Sequence, residues 1–154
     1  MIHEKYSKKV MKYFMRPKNV GKISKADGIG KVGNLRCGDI MWIYIKIGKN
    51  KKGQEIIKDI KFQTLGCPAA IASSSVITEL AKDKTIEQAI KITNKNVLKI
   101  LGKLPPIKYH CSLLAEQALS EAIYDYLTKK KRPIPPELEK KHKQILAMEK
   151  NLKK

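Results

Sequence analysis

The apolar positions of the chain change their period along its first half. Residues 5–15 carry apolar side chains at helical spacing, which predicts a short amphipathic helix that ends before Pro17. Residues 39–47 and 56–65 alternate their side chains as strands do, and the glycine-flanked polar segment between them predicts a hairpin. Both alternating sets in residues 39–47 are apolar, so we expect both faces of that strand to be covered.

Upstream of this hairpin the chain is rich in glycine. Gly28, Gly30 and Gly33 fit the dinucleotide-binding pattern GxGxxG by count, but the pattern follows no predicted strand and opens no predicted helix, so we reject that function. We interpret residues 23–34 as a loop leading into a strand. Residues 30–36 can supply a third strand to an antiparallel sheet.

The apolar period becomes helical again after Cys67. Proline suits the first helical position, and the pair Thr85 and Gln88 fits a capping box. Helices are predicted from Pro68, from Thr85 through Ile92, from Thr93 to near Gly102, and over residues 111–127.

These elements predict an α+β fold with a small three-stranded antiparallel sheet packed against about five helices. We assign residues 1–128 to one domain and residues 129–154 to a basic C-terminal extension that forms a helical tail. The boundary is a run of lysine and arginine followed by three prolines. Leu138, Ile145 and Leu152 are seven residues apart and form a narrow apolar stripe, which suits a helix resting on the domain or on a partner.

Composition narrows the class of protein. No apolar run approaches the length of a membrane span, and no signal-peptide stretch follows Met1, so we expect a cytoplasmic protein. The net charge of +19 could attract a nucleic acid. The lysines are scattered along the chain and no nucleic-acid motif appears, so a nucleic-acid partner is disfavoured relative to a solvated lysine surface.

The candidate chemistry lies in three short stretches that hold all three cysteines. Cys37, Cys67 and Cys111 have no CxxC spacing, so the fold must bring them together. Asp39 follows the first cysteine by two residues, and His110 precedes the third. Cysteine, histidine and carboxylate side chains are ligands of zinc and of iron–sulfur centres.

The predicted helix starts would change the protonation of the two later cysteines. Cys67 precedes the predicted helix that begins at Pro68, and Cys111 opens the longest helix, so free backbone N–H groups would favour both thiolates. His110 can serve as a ligand or as a base. Each cysteine taken alone is also compatible with a small buried hydrophobic side chain.

The sequences around these residues resemble three motifs of the IscU/NifU-type iron–sulfur cluster assembly scaffolds. They are Gly-Asn-Leu-Arg-Cys-Gly-Asp at 33–39, Leu-Gly-Cys-Pro-Ala-Ala-Ile-Ala-Ser-Ser-Ser at 65–75, and Leu-Pro-Pro-Ile-Lys-Tyr-His-Cys-Ser at 104–112. The resemblance extends from about residue 5 to residue 127. The adjacent histidine and cysteine favour the IscU/NifU branch over the related SufU branch.

The resemblance implies a function and a set of site residues. It implies a scaffold, not an enzyme, that takes sulfur from a cysteine desulfurase, accepts Fe²⁺, assembles a 2Fe–2S cluster and transfers it to apo-proteins. The implied ligands are Cys37, Asp39, Cys67, His110 and Cys111, with either Asp39 or His110 in the fourth position. Asp39 would make the cluster labile, since a hard carboxylate holds iron less firmly than a thiolate.

The resemblance also suggests partners and leaves alternatives open. We expect Cys111 to accept the persulfide sulfur, because it follows a Pro-Pro break that would let it swing outward. Leu104, Pro105, Pro106, Ile107 and Lys108 form the segment that an Hsp70 and its J-protein grip in some members. The alternatives are a structural protein that holds Zn²⁺ with the same ligands, and a nucleic-acid-binding module driven by the charge.

Overall fold

The computed structural model of the protein describes residues 6–34 and 39–152, without the side chains at 34, 107 and 150–152. It contains a three-stranded antiparallel sheet and six helices, which confirms the predicted α+β class. The strands are β1 (Gly28–Asn34), β2 (Asp39–Lys49) and β3 (Glu55–Leu65), in the order β1-β2-β3. The helices are α1 (Lys8–Met15), α2 (Pro68–Ala81), α3 (Ile86–Ile90), α4 (Asn94–Leu101), α5 (Tyr109–Lys129) and α6 (Pro136–Leu152).

Side-chain capping marks where the helices begin. The Ser7 hydroxyl accepts a hydrogen bond from the backbone N–H of Val10 at the start of α1. Thr85 and Gln88 form the predicted capping box at α3, so two backbone N–H groups that no helical carbonyl can reach are satisfied. Helix α4 begins after Thr93 and ends at Gly102, as predicted, and the positive φ of 78° at Gly102 suits glycine.

The hydrophobic core lies on one face of the sheet. Met41, Ile43 and Ile45 of β2 are fully buried. Ile43 pairs with Phe62 and Ile45 pairs with Ile60 on β3, which gives a continuous apolar surface under α2 and α5. The expectation that both faces of β2 would be covered is therefore wrong in part. The opposite face carries Ile40 and Trp42, which are only half-buried because the helices pack on one side of this antiparallel sheet.

The predicted third strand is present, but it begins at Gly28 and not at Gly30, so Gly28 and Ile29 belong to the strand and not to the loop that we expected. Strand β1 begins at Gly28 because α5 crosses it at very close range. A Cβ added at Gly28 would overlap the carbonyl oxygen of Ala122, and one added at Gly30 would overlap the carbonyl oxygen of Ala118. Glycine on the strand and alanine on the helix let the two backbones approach each other.

The C-terminal tail is a helix that packs on the domain. Leu138 and Ile145 of α6 are buried in the same apolar core as α5, so two members of the predicted stripe contact the domain. The side chain of Leu152 lies outside the described part. His142 shares a hydrogen bond of 2.7 Å with the Glu121 carboxylate and stacks on Tyr124, with 3.7 Å between ring centroids. The assignment of residues 129–154 as a separate unit stays a prediction.

Two polar clusters hold the tail in place. The Glu116 carboxylate accepts a hydrogen bond of 2.7 Å from the backbone N–H of Asn94 and lies 3.5 Å from the Lys141 ammonium, which donates to the carbonyl of Ile90 at 3.0 Å. At the other end of α5, the Glu55 carboxylate binds Arg132 and accepts a hydrogen bond from the Tyr126 hydroxyl. The guanidinium of Arg132 lowers the pKa of Glu55.

The crossing of α5 over β1 can be tested by adding one methyl group. We expect Gly30→Ala to lower the free energy of unfolding by about 1–3 kcal/mol or more. The new Cβ would overlap backbone atoms of α5, which can move away only if the helix shifts. Gly33→Ala is the matched control on the same strand, since its Cβ would meet atoms only at 3.7 Å. Urea denaturation of both variants measures the difference. Equal stabilities would contradict the close approach.

Candidate metal centre

Three elements meet at one end of the sheet and bring the candidate ligands together. Asp39 is the first residue of β2, Cys67 immediately precedes α2, and His110 and Cys111 lie in the first turn of α5. These residues are up to 72 positions apart in the sequence, and the fold makes them neighbours. Cys37 lies outside the described residues.

The local backbone places Asp39 and Cys67 next to each other. The Thr64 hydroxyl donates a hydrogen bond of 2.7 Å to the carbonyl of Ile40 and fixes the end of β3 against the start of β2. Gly66 then turns the chain toward α2. A Cβ at Gly66 would lie 3.0 Å from the Asp39 carboxylate and 2.8 Å from the Cβ of Ala70, so a side chain at this position would crowd the site.

The ligand atoms are separated by short distances. The sulfur atoms of Cys67 and Cys111 are 3.5 Å apart, and both residues are free thiols. The Cys111 sulfur lies 3.5 Å from the Asp39 carboxylate and 3.6 Å from the Nε2 atom of His110. The Nε2 atom and the Asp39 carboxylate are 3.9 Å apart. Ligands around a tetrahedral ion with bonds of about 2.0–2.3 Å are separated by similar distances, roughly 3.3–3.8 Å.

Exposure differs sharply among the four side chains. Cys111 is fully buried and Asp39 is 4% exposed, whereas Cys67 is half-buried and the His110 side chain is 29% exposed. The group therefore has a buried floor formed by Asp39 and Cys111 and an accessible rim formed by Cys67 and His110. An ion or a small anion can reach this group from the rim.

The two described thiols share one proton. A hydrogen bond from the Cys111 thiol lowers the pKa of Cys67 to about 6 despite the opposing effect of burial, and the Ala70 N–H and the Lys108 ammonium lower it further. The same hydrogen bond, burial and the negative charges of Cys67 and Asp39 raise the pKa of Cys111. Loss of the first proton from the pair is thus easy, and loss of the second is difficult.

The pKa shifts agree with the prediction for one of the two cysteines at helix starts and contradict it for the other. The expected preference for a thiolate holds for Cys67 at the start of α2. The same expectation for Cys111 is wrong, because the hydrogen bond to Cys67, burial and the nearby Asp39 carboxylate raise its pKa and outweigh the start of α5. The segment before α5 is also not open chain, since Pro106–Lys108 form a turn of 3-10 helix that runs directly into α5.

Three residues that shape the site were not predicted from the sequence to do so. Lys108 was predicted only as part of a chaperone-binding segment, yet its ammonium favours the Cys67 thiolate. The signal was present, since a cation stands three residues before Cys111. Gly66 and Thr64 position the site through tertiary contacts that no local pattern records.

Comparison with known proteins places the chain in a family. Residues 5–133 match the NifU-like N terminal domain family. The chain belongs to this family.

Named relatives share most of its length. The chain is 58% identical over 124 residues to "Iron-sulfur cluster assembly scaffold protein IscU 1" of Archaeoglobus fulgidus, covering 80% of this chain and 78% of the relative. It is 51% identical over 128 residues to the IscU scaffold protein of Buchnera aphidicola, covering 81% and 97%.

Two solved structures share the fold. One is described as an iron–sulfur cluster assembly scaffold for the SUF system of Fervidobacterium islandicum, with a TM-score of 0.62 at 25% identity, over 77% of this chain and 96% of that one. The other is the N-terminal part of a NifU-like protein of Brucella abortus, with a TM-score of 0.60 at 20% identity, over 80% and 94%. Within the described residues, no helix combines the length and apolar character that crossing a membrane requires.

The shared proton can be tested by alkylation of the metal-free protein. In a Cys37→Ser background, we expect iodoacetamide to modify Cys67 at a rate that is already near its maximum at pH 7. Replacing the donor in Cys111→Ala should return the pKa of Cys67 toward the ordinary value of about 8.5 and move the midpoint of its pH–rate profile up by about two units. The rate at pH 7 should fall only about twofold to threefold, because a more basic thiolate is also a better nucleophile. Peptide mass spectrometry over a pH series gives both profiles.

The control for this experiment is Ser112→Ala. The Ser112 hydroxyl donates to the carbonyl of Tyr109, so its loss should leave the profile of Cys67 unchanged. Identical profiles in the parent and in Cys111→Ala would show that the two thiols do not share a proton.

Proposed function

We propose that this protein is a scaffold on which an iron–sulfur cluster is assembled before it passes to an apo-protein. The observation that carries the proposal is the convergence of Asp39, Cys67, His110 and Cys111 at one partly open end of the sheet. The names of the IscU relatives support it, since those proteins are described as assembly scaffolds and align with most of this chain. We propose a 2Fe–2S cluster as the product.

The proposed ligands are Cys37, Cys67 and Cys111, with Asp39 or His110 in the fourth position. Iron and sulfide are the substrates, and the cluster is the cargo. The readily formed Cys67 thiolate at the rim would bind the first iron, because a deprotonated thiol is the form that ligates metal. The second thiol would lose its proton only as the metal arrives, since positive charge offsets the repulsion from Asp39 and Cys67.

Sulfur would arrive as a persulfide on a cysteine desulfurase. A scaffold thiolate attacks the terminal sulfur, the sulfur–sulfur bond of the desulfurase persulfide breaks, and the desulfurase cysteine leaves as a thiolate. A reductant must then supply two electrons to release each sulfide from the new persulfide. No turnover of the scaffold itself is required, so we do not propose an enzyme.

A zinc-bound form is the second candidate, and the donor set favours it. Thiols, imidazoles and carboxylates are common zinc ligands, and the ligand atoms of Asp39, His110 and Cys111 lie within 4.8 Å of one another. The Cys67 sulfur lies 3.5 Å from the Cys111 sulfur but outside this group of three, so it would have to shift to complete a tetrahedral set. Zn²⁺ could occupy the site before iron arrives or serve a purely structural function.

Two further expectations remain proposals. A chaperone that grips residues 104–108 would have to expose Leu104, which is 3% exposed. The side chain of Ile107 lies outside the described part. The cytoplasmic location also stays a prediction.

The function is tested by anaerobic reconstitution with Fe²⁺, a cysteine desulfurase, cysteine and a thiol reductant. We expect visible absorption bands of a 2Fe–2S cluster in the parent protein and none in Cys67→Ser or Cys111→Ser. Adding an apo-ferredoxin should move the bands to that acceptor. Stable zinc binding without any cluster under these conditions would favour the structural zinc protein.

The carboxylate ligand should control how long the cluster stays. We expect Asp39→Ala to slow cluster loss to an apo-acceptor about tenfold, because it removes the hard oxygen ligand that makes the site labile. Asp59→Ala, a half-buried carboxylate on β3, is the control and should behave like the parent. Decay of the visible absorption measures the rate. Faster loss in Asp39→Ala would reverse the assigned effect of this carboxylate.

The identity of the sulfur acceptor is a separate prediction. We keep Cys111 as the proposed acceptor, although its sulfur is buried and must become exposed to meet a desulfurase. Anaerobic transfer to each single Cys→Ser variant, followed by mass spectrometry of persulfide-bearing peptides, identifies the acceptor. Persulfide should be lost in Cys111→Ser. Normal loading in that variant with loss in Cys67→Ser or Cys37→Ser would move the acceptor to that cysteine.

A further inference from the structure

Although lysines are scattered along the chain, their excess over acidic residues is unevenly distributed. Residues 6–26 contain seven lysines and arginines, residues 88–115 contain five lysines, and neither segment contains an acidic residue. These segments account for +12 of the net charge of +19, and residues 129–154 account for the other +7. The rest of the chain is electrically neutral, so the excess charge is confined to three segments.

The fold joins the two acid-free segments on one side of the molecule. Helices α1 and α4 contact each other and both pack on α2. The Ser7 hydroxyl at the start of α1 donates a hydrogen bond of 3.2 Å to the carbonyl of Leu101 at the end of α4. We define the basic face by the exposed cations on these helices and on the residue pair after α4, which are Lys8, Lys9, Lys12, Arg16, Lys95, Lys99 and Lys103.

The cations of the basic face have no carboxylate partners within the described part of the chain. The ion pairs found there use Lys46, Lys129, Arg132 and Lys141, together with His110 and His142, and all of these lie outside the basic face. Seven like charges that are not neutralised internally repel one another and create a strong positive potential. A negatively charged partner would relieve that repulsion.

The basic face borders the metal centre. The chain leaves α4 at Leu101 and reaches His110 nine residues later, by way of Lys103 and the turn of 3-10 helix. Lys108 ends this turn two residues before His110, so positive charge continues from the basic face toward the metal centre along residues 103–108. A molecule that contacts both the basic face and Lys108 would therefore approach the accessible rim of the site.

Two exposed methionines indicate what kind of anion binds there. Met11 and Met15 are 37% and 70% exposed and lie on the same stripe of α1 as Lys8 and Lys12. A phosphate backbone offers these apolar side chains nothing to pack against, whereas a protein surface can cover them. A second copy of this chain is a poor occupant, because the sequence outside the basic segments is neutral and not acidic.

We propose that the basic face of α1 and α4 docks an acidic apo-protein that receives the cluster from the metal centre. Docking depends on charge and apolar contact alone. That the docked protein receives a cluster rests on the proposed scaffold function. The partner presents carboxylates around a small apolar centre that covers Met11 and Met15. Association is fast and weakens as salt screens the charges.

The test compares two variants with the same net charge of +15. The face variant carries Lys8→Gln, Lys12→Gln, Lys99→Gln and Lys103→Gln. The control variant carries Lys51→Gln, Lys52→Gln, Lys82→Gln and Lys84→Gln, which are exposed lysines in the hairpin and after α2. The probe is a fluorescently labelled acidic apo-ferredoxin, titrated at about 50, 150 and 300 mM salt. The Debye length falls from more than roughly 10 Å to less than roughly 8 Å over this range, so salt increasingly screens the charges.

We expect the face variant to bind the apo-ferredoxin about tenfold more weakly than the parent at 50 mM salt, and the control variant to differ less than twofold. Met11→Gln with Met15→Gln should weaken binding severalfold without changing the salt dependence. Equal weakening in the face and control variants would overturn the proposal, because net charge alone would then explain binding. Tighter binding of a 20-base-pair DNA duplex or of anionic vesicles at 150 mM salt, lost in the face variant, would also overturn it.

Circular dichroism and chemical reconstitution with Fe²⁺ and sodium sulfide separate this proposal from the proposed function. The face variant should fold and assemble a cluster as the parent does, since none of its changed residues is a proposed ligand. Loss of apo-ferredoxin binding with normal assembly supports the docking face. Normal binding in a protein that assembles no cluster would remove the scaffold function and leave the docking face intact.

Discussion

The contact between α5 and β1 is the constraint on which the site depends. Helix α5 carries His110 and Cys111 at one end and crosses β1 where Gly28 and Gly30 allow backbone to meet backbone. A larger side chain at either glycine would lift the helix from the sheet. The distance from Cys111 to Asp39 is set by that height, because Asp39 begins the neighbouring strand. A packing detail near the middle of the helix thus determines the geometry at its first turn.

Sequence patterns predicted most of the helices and strands, because these patterns depend only on residues that are close together in the chain. The capping box at Thr85, the proline at the start of α2 and the alternation of β3 are all readable over a few residues. The start of strand β1 was predicted two residues too late, since Gly28 packs against α5, about 90 residues later in the chain. A glycine that a distant helix requires looks like part of a loop when only its neighbours in the sequence are considered.

The candidate metal centre was likewise predicted only in part. The three cysteine stretches identified the residues that the fold brings together, with Cys37 outside the described part. Their protonation could not be predicted in the same way. Cys111 prefers its thiol form because of its hydrogen bond to Cys67, its burial and the nearby Asp39 carboxylate. None of these three contacts follows from spacing along the chain. Local sequence motifs therefore identified the candidate ligands, and tertiary structure determined their protonation.

The Glu116 carboxylate couples the start of α4 to α6. This single carboxylate, 9% exposed, receives the first backbone N–H of α4 and faces the Lys141 ammonium of α6, while Lys141 also reaches the carbonyl at the end of α3. Detaching α6 would leave Glu116 charged and short of a partner, which also weakens the start of α4. The amide protons at the start of α4 and along α6 should consequently exchange with solvent as one cooperative unit, so that the C-terminal helix and the edge of the basic face open together.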